Sequence, residues 1–254
     1  MKYLIIIICL LISYLYGSIP FALVIGKVFY NTDVRQYGSH NLGGTNAGRV
    51  LEKKAGMTVI LFDATKCIIT ILLTGWIAKV SGISANIIYP CALFCMIGHC
   101  YPIFANFQGG KAVSSAIAYT LMTNIYGFII AVAVFLITLK TTKYVSLSSI
   151  LGATAVLIAS PFIGYSTIGI ITNICVVALI VYRHRANIRR IKNGTENKVK
   201  WFLFTNKDFI WMWGESMIDL TGMNNKEFVL NADHIEKIEA VPETIITLTN
   251  GKKY

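Results

Sequence analysis

Seven apolar blocks, most of them too long and too uninterrupted for the core of a small water-soluble domain, decide what this chain can become. They run over residues 3–25, 57–80, 87–104, 112–124, 126–139, 146–163 and 168–182. A bilayer core of about 30 Å needs roughly 20 apolar residues in a helix. The block 112–124 is short for a full crossing and reads as a half-span or a tilted, water-facing helix. The first block resembles a signal peptide only superficially. It lacks an A-x-A-like cleavage site and outruns the usual apolar region of about 7–15 residues, so it is expected to stay as a helix. Only 14% of residues are charged and the mean hydropathy is +0.62, far from a soluble domain with roughly a quarter of its residues charged.

The cations give the orientation. Lys27, Arg35, Arg49, Lys53 and Lys54 lie between the first two blocks, and Arg183, Arg185, Arg189, Arg190 and Lys192 follow the last. Loops rich in Lys and Arg stay in the cytoplasm. Both clusters are cytoplasmic only if the number of spans is odd and the N-terminus lies outside. The expected fold is therefore an all-α polytopic membrane protein with about seven transmembrane helices. Nucleic-acid binding would suit the basic balance too, but these cations flank membrane spans, and no nucleic-acid partner is expected.

Composition breaks near the end. Up to residue 216 there are 19 Lys and Arg against 6 Asp and Glu; residues 217–254 hold 4 against 6. The expected division is a membrane domain over 1–200, an aromatic linker over 201–216 ("WFLFTNKDFIWMWGES" spans it), and a small β-rich appendage over 217–254. The appendage alternates apolar and polar residues, with "NN" and "NG" turn signals.

Three polar stretches interrupt the apolar pattern. The first, "YGSHNLGGTNAGR" at residues 37–49, combines glycines that let successive N–H groups point inward with donors at Ser39, Thr45 and Asn46 and the planar cation of Arg49. A flexible surface connection would use similar residues. The second, "FQGGK" at 107–111, puts Gly109, Gly110 and Lys111 ahead of an apolar helix, where amides and an ammonium can meet an anion. It is not the nucleotide P-loop, whose G-x-x-x-x-G-K-[ST] spacing is absent. The third, "RHRANIRRIKNGTE" at 183–196, holds His184 and Asn187 one turn apart. Two separated phosphate-friendly loops imply two phosphates, or a substrate with two polar ends.

Elsewhere, Asp63 and Lys66 are costly inside an apolar block unless paired or useful, and their spacing lets them meet on one helical turn. Cys91, Cys95 and His99 share a helix face, but small buried hydrophobes explain the cysteines better than a metal does. A transporter would scatter polar residues through the bundle and show an inverted repeat; neither is evident.

In order and spacing, "GSIPFALVIGK", "YGSHNLGGTNAGR", "FDATK", "GHCYPIFANFQGGKAVSS" and "RHRANIRRIKNGTE" resemble the PlsY family of membrane glycerol-3-phosphate acyltransferases, over residues 1 to about 200. The resemblance implies a seven-helix protein of the plasma membrane with its active site facing the cytoplasm. It implies transfer of a fatty acyl group from acyl-phosphate to the 1-hydroxyl of sn-glycerol 3-phosphate, giving lysophosphatidic acid and phosphate. No cofactor and no metal are implied; membrane lipid and an enzyme that supplies acyl-phosphate are the implied partners.

By matching position, the resemblance assigns catalytic roles to Ser39, Arg49, Lys111, Ser149, His184 and Asn187. It assigns substrate or phosphate binding to Asn41, Thr45, Asn46, Gly109, Gly110, Asp63 and Lys66, and a structural role to Glu196. Ser149 comes from "VSLSSI", which is similar to the family's SL-x-S element. The chain departs from the family pattern at His40 and Ala112, where glycines are usual, at Gly44 for alanine, and at Cys67 for glycine. Residues 217–254 resemble FlbD-type small flagellar proteins. A degenerate acyltransferase, or a flagellar membrane anchor acting through this tail, is the alternative reading.

Overall fold

The computed structural model of the protein describes residues 1–199 continuously and, beyond them, the segments 217–221, 227–231, 235–241 and 243–248. Met1–Val199 and Lys200–Tyr254 are separate compact units. The first contains ten α-helices: α1 (Lys2–Gly17), α2 (Phe21–Tyr30), α3 (Gly44–Val50), α4 (Lys53–Ser81), α5 (Ile88–Cys100), α6 (Val113–Thr123), α7 (Ile125–Thr142), α8 (Val145–Ala159), α9 (Thr167–Arg183) and α10 (Arg185–Lys192).

Among the described residues, four helical stretches are long and apolar enough to cross a membrane: Lys2–Tyr30, Lys53–Ser81, Ala85–Ala105 and Ile125–Thr142. The pair α9–α10 makes a fifth if taken together, bent by 56°. Helices α6 and α8 are apolar but shorter. The protein is thus a multi-pass helical membrane protein. Lipid offers no hydrogen bonds, so each helix end must find its own partners. Asn124 accepts from the Gly127 amide at the start of α7, and Ser166 from the Gly169 amide at the start of α9. Gly82, at φ +61°, closes α4 by donating to the Ala78 carbonyl.

Close packing rests on small residues, as in other membrane bundles. At the crossing of α1 and α5, a Cβ on Gly17 would strike the Cys95 backbone and one on Gly98 the Tyr14 carbonyl. Likewise α3 lies against α4 through Gly44 and Gly48, both meeting Gly56. Two glycines of the first polar stretch therefore serve helix packing, where an anion nest was the expectation.

The first apolar block is not one straight helix. Pro20 has no N–H to continue α1 and restricts Ile19 before it, so the chain breaks at Ser18–Pro20 and restarts as α2. The break leaves the Ile19 carbonyl free to accept from Lys66 Nζ at 3.2 Å.

The main core gathers side chains from α4, α5, α6, α8 and α9, among them Cys67, Met96, Tyr119, Val156 and Ile180. Its polar members are paired. Tyr119 donates to Asn173 Oδ1 at 2.8 Å, and Asn173 Nδ2 donates to Ser160 at 2.7 Å.

In the second unit, β1 (Met217–Thr221) and β2 (Glu227–Asn231) form one antiparallel hairpin, with Met217 opposite Asn231. A second joins β3 (Ile235–Val241) and β4 (Glu243–Leu248), irregular between Ile235 and Lys237. The expected linker 201–216 and the Asn250–Gly251 turn lie outside the described residues.

Candidate active site

The first polar loop is organised by Asn46. This side chain, 2% exposed, accepts from the Ser39 amide at 2.7 Å and the Ser39 hydroxyl at 3.1 Å. Its Nδ2 donates to the Val34 carbonyl at 2.9 Å and the Tyr37 carbonyl at 3.3 Å. A buried amide with this many partners fixes the loop. Gly38 turns through φ +62°, and a Cβ there would collide with Asn46 Oδ1. Asn46 thus shapes the loop from within. Ser39, Thr45 and Arg49 are exposed and Asn41 is half-buried. Arg49, in the last turn of α3, borders a surface cavity with Thr32, Tyr37, Gly38 and Val50.

The glycine–lysine loop sits deeper. Gly109 and Gly110 are buried, and the Gly110 amide donates to the His99 carbonyl at 3.0 Å. Arg183 grips the same two residues from the other side: Nε donates to the Gly110 carbonyl and Nη2 to the Gly109 carbonyl, each at 2.9 Å. Its guanidinium lies 5.0 Å from the Tyr101 ring. A planar fork suits two adjacent carbonyls in a way an ammonium does not. The Gly110 N–H is already committed, which leaves the Gly109 amide, Lys111 and the first amides of α6 to meet an anion.

Lys111 anchors a polar chain that links the loop before α6 to α8 and α10. Its Nζ donates to Asn187 Oδ1 at 2.6 Å. Asn187 Nδ2 donates to Glu196 Oε1 at 2.5 Å, and Glu196 also accepts from Ser146 at 2.8 Å and from Arg190 Nε at 2.7 Å. Asn187 is 7% exposed; with Oδ1 taken and one N–H used, it orients Lys111 as much as it can serve a ligand. Burial pushes the Lys111 ammonium down to about 8, against the pull of Glu196 and with Arg190, Arg183 and Arg49 adding to the fall. Burial works upward on Glu196, yet the hydrogen bonds from Asn187, Ser146 and Arg190 outweigh it and hold the carboxyl below its usual range.

His184 stands at the elbow just beyond α9, 3% exposed. Its Nδ1 is 2.8 Å from the Ile180 carbonyl. A carbonyl only accepts, so Nδ1 carries the proton and the neutral ring leaves Nε2 as an acceptor. Burial, followed by the Lys111 charge, lowers the pKa to about 4. At neutral pH this favours the neutral ring, with Nε2 as an acceptor.

Three expected residues lie outside this polar chain. Ser149 donates to the Val145 carbonyl at 2.8 Å and lines an apolar cavity of about 40 Å³ with Val113, Tyr119, Val156 and Ile180. Ser146, one turn earlier, is the serine that reaches Glu196. Asp63 and Lys66, expected to bind substrate, are each 1% exposed and pair with one another at 2.9 Å. Among the described residues no cluster of His, Cys, Asp and Glu is arranged to hold a metal.

Sequence reasoning missed Arg183, Arg190 and Ser146 as parts of the site. The two arginines were legible only as membrane-flanking charge. Two of the four departures flagged in the sequence are left-handed: His40 at φ +55° and Ala112 at φ +59°. His40 Nδ1 lies 2.8 Å from the Arg35 carbonyl, and Ala112, fully buried, leads into α6. The backbone that glycine would favour is kept without it.

Residues 7–194 match the family described as glycerol-3-phosphate acyltransferase, and residues 217–254 match the FlbD family of flagellar and swarming motility proteins. The glycerol-3-phosphate acyltransferase of Listeria monocytogenes serovar 1/2a is 45% identical over 191 residues, 75% of this chain and 95% of the relative. Glycerol-3-phosphate acyltransferase 2 of Bacillus anthracis is 43% identical over 197 residues, 76% and 98% of the two. The crystal structure of the integral membrane glycerol 3-phosphate acyltransferase PlsY (YgiH) in its glycerol 3-phosphate form superposes with a TM-score of 0.70 at 32% identity, covering 81% of this chain and 98% of that one. Its lysophosphatidic acid form gives 0.69 at 31%.

Proposed function

Since the chain belongs to the PlsY family of glycerol-3-phosphate acyltransferases, we propose that it transfers a fatty acyl group from acyl-phosphate to the 1-hydroxyl of sn-glycerol 3-phosphate. The products are lysophosphatidic acid and inorganic phosphate. One observation carries this reading. A half-buried ammonium, Lys111, lies two residues before Val113, which lines a small apolar cavity, so a charged head and the start of an apolar tail can be held side by side.

In the proposed step the glycerol hydroxyl oxygen bonds to the acyl carbonyl carbon as the carbon–oxygen bond to phosphate breaks. The hydroxyl proton passes to a phosphate oxygen, which leaves as inorganic phosphate. An acyl-phosphate is already activated, so no serine–histidine–aspartate triad is called for. Lys111 and Arg49 stabilise charge building on the phosphate. His184 Nε2 accepts a glycerol hydroxyl and orients it. Asn187 and Glu196 keep Lys111 in place. Ser39 and Thr45, with Asn41, face the second phosphate on a loop shaped by Asn46. Holding both substrates together supplies proximity.

The two shorter apolar helices, α6 and α8, complete seven spans in this reading, with the N-terminus outside and the site open to the cytoplasm at the plasma membrane. An enzyme that makes acyl-phosphate is the implied supplier. The purified full chain, given acyl-phosphate and labelled glycerol 3-phosphate, should yield lysophosphatidic acid. Turnover with acyl-CoA and none with acyl-phosphate would overturn the donor assignment. The match over residues 217–254 favours a second, separate role in motility for the tail; deleting it should leave acyl transfer intact.

A further inference from the structure

Below the glycine–lysine loop lies a set of ionisable side chains that the proposed chemistry does not touch. Asp63 Oδ1 is 2.9 Å from Lys66 Nζ and 3.3 Å from His99 Nδ1, and all three residues are at least nine-tenths buried. Lys66 also donates to the Ile19 carbonyl and lies 5.6 Å from the Phe21 ring. The Asp63 carbonyl accepts from Ser115 in the first turn of α6 at 2.9 Å. Charges so deep in a bilayer protein are costly and call for a use.

The use is visible at His99. Its main-chain carbonyl holds the Gly110 amide, and a Cβ on Gly109 would strike that carbonyl. Its ring fills the space beside Gly110. The three atoms nearest to a Cβ at position 110 are Nε2, Cε1 and Cδ2 of His99. Asp63 holds the ring by Nδ1, so the ring cannot swing aside cheaply. Arg183 holds the loop against it from above.

We propose that His99 is a positioning residue for the Gly109–Gly110–Lys111 loop, its ring locked by the Asp63–Lys66 pair and setting where the Lys111 ammonium stands. The proposal rests on the reading of that loop as a phosphate site. It explains why glycine is required at 110 without any demand from the backbone, since φ there is not left-handed.

The test is suppression. Gly110→Ala in the full chain should raise the KM for acyl-phosphate at least about tenfold, because the methyl displaces the loop. His99→Asn keeps a donor for Asp63 while removing the outer ring atoms. In that background Gly110→Ala should cost less than about twofold, a coupling expected of residues in contact. His99→Leu fills the space without a donor and should raise the KM with or without Gly110→Ala. Equal penalties for Gly110→Ala in the wild-type and His99→Asn backgrounds would overturn the proposal, as would an unchanged KM in His99→Leu. A purely structural role for His99 would lower yield and thermal stability and leave the KM alone. Lys111→Ala separates the two levels: near-normal turnover there would sink the phosphate-loop reading itself, whereas its loss alongside additive Gly110 and His99 penalties would sink the positioning role alone.

Discussion

Lys111 donates to Asn187 across 2.6 Å, tying the loop before α6 to a helix 76 residues later. The partnership makes the two side chains one hydrogen-bonded unit, because Asn187 is in turn bound to Glu196. Lys111→Ala should cost about 2–5 kcal/mol in transition-state stabilisation, the scale for truncating a buried charge contact. Asn187→Ala should cost less, and the double variant should fall short of the sum by about 0.5–3 kcal/mol. Steady-state kinetics on the four proteins of the cycle decide it; strict additivity would mean the two act independently.

The pH dependence has opposite signs for activity and stability. With its pKa near 8, Lys111 is an ammonium below that value and neutral above it. Hence kcat/KM should fall as pH rises through about 8, and Lys111→Arg should remove that limb. Folding runs the other way. Between about 8 and the ordinary lysine value the unfolded chain binds more protons than the folded one, so stability rises with pH in that window. A pH-activity profile and thermal unfolding on the same samples test both.

His184 is neutral throughout the physiological range, since its pKa is about 4. No activity limb is expected between pH 6 and 7. His184→Ala should lower kcat about 10²-fold if Nε2 orients the glycerol hydroxyl, the scale of one preorganised hydrogen bond. Arg189→Ala, on the exposed face of α10, should stay within about 0.5 kcal/mol. Equal, small effects at both positions would remove His184 from the site.

The left-handed residues give a prediction about substitution by glycine. His40→Gly relieves strain but loses the contact with the Arg35 carbonyl; Ala112→Gly relieves strain but loses a buried methyl worth about 0.8 kcal/mol. Both variants should keep activity within about twofold and stability within about 1 kcal/mol. Gly38→Ala, which adds a Cβ at positive φ against Asn46, should instead destabilise by more than about 1 kcal/mol. Thermal unfolding and turnover together would show whether the departures from the family pattern matter.

Each apolar block contains a helix because apolar length and hydrogen-bond satisfaction act locally. The spacing of Asp63 and Lys66 likewise told that they can face one another. What stayed hidden depended on contacts between distant segments. Gly44 and Gly48 looked like part of an anion nest because Gly56, the surface they pack on, belongs to another helix. Ser146 and Ser149 lie on one stretch, and only the rotation of α8 decides which meets Glu196. The tautomer of His184 is set by the Ile180 carbonyl, a helix-end detail with no trace in composition.

The helices are unequal in length, and the bilayer must answer to that. At about 1.5 Å per residue, α4 extends roughly 44 Å, whereas α8 extends about 22 Å and α6 about 16 Å. A hydrocarbon core of about 30 Å cannot match all three without tilting, thinning or admitting water beside the short ones. The loop carrying Lys111 begins one of those short helices, so the hydrophobic mismatch falls at the site itself. In the proposed reading membrane thickness thereby becomes a variable of the reaction, coupling the acyl chains of the surrounding lipids to how deep an aqueous substrate must travel.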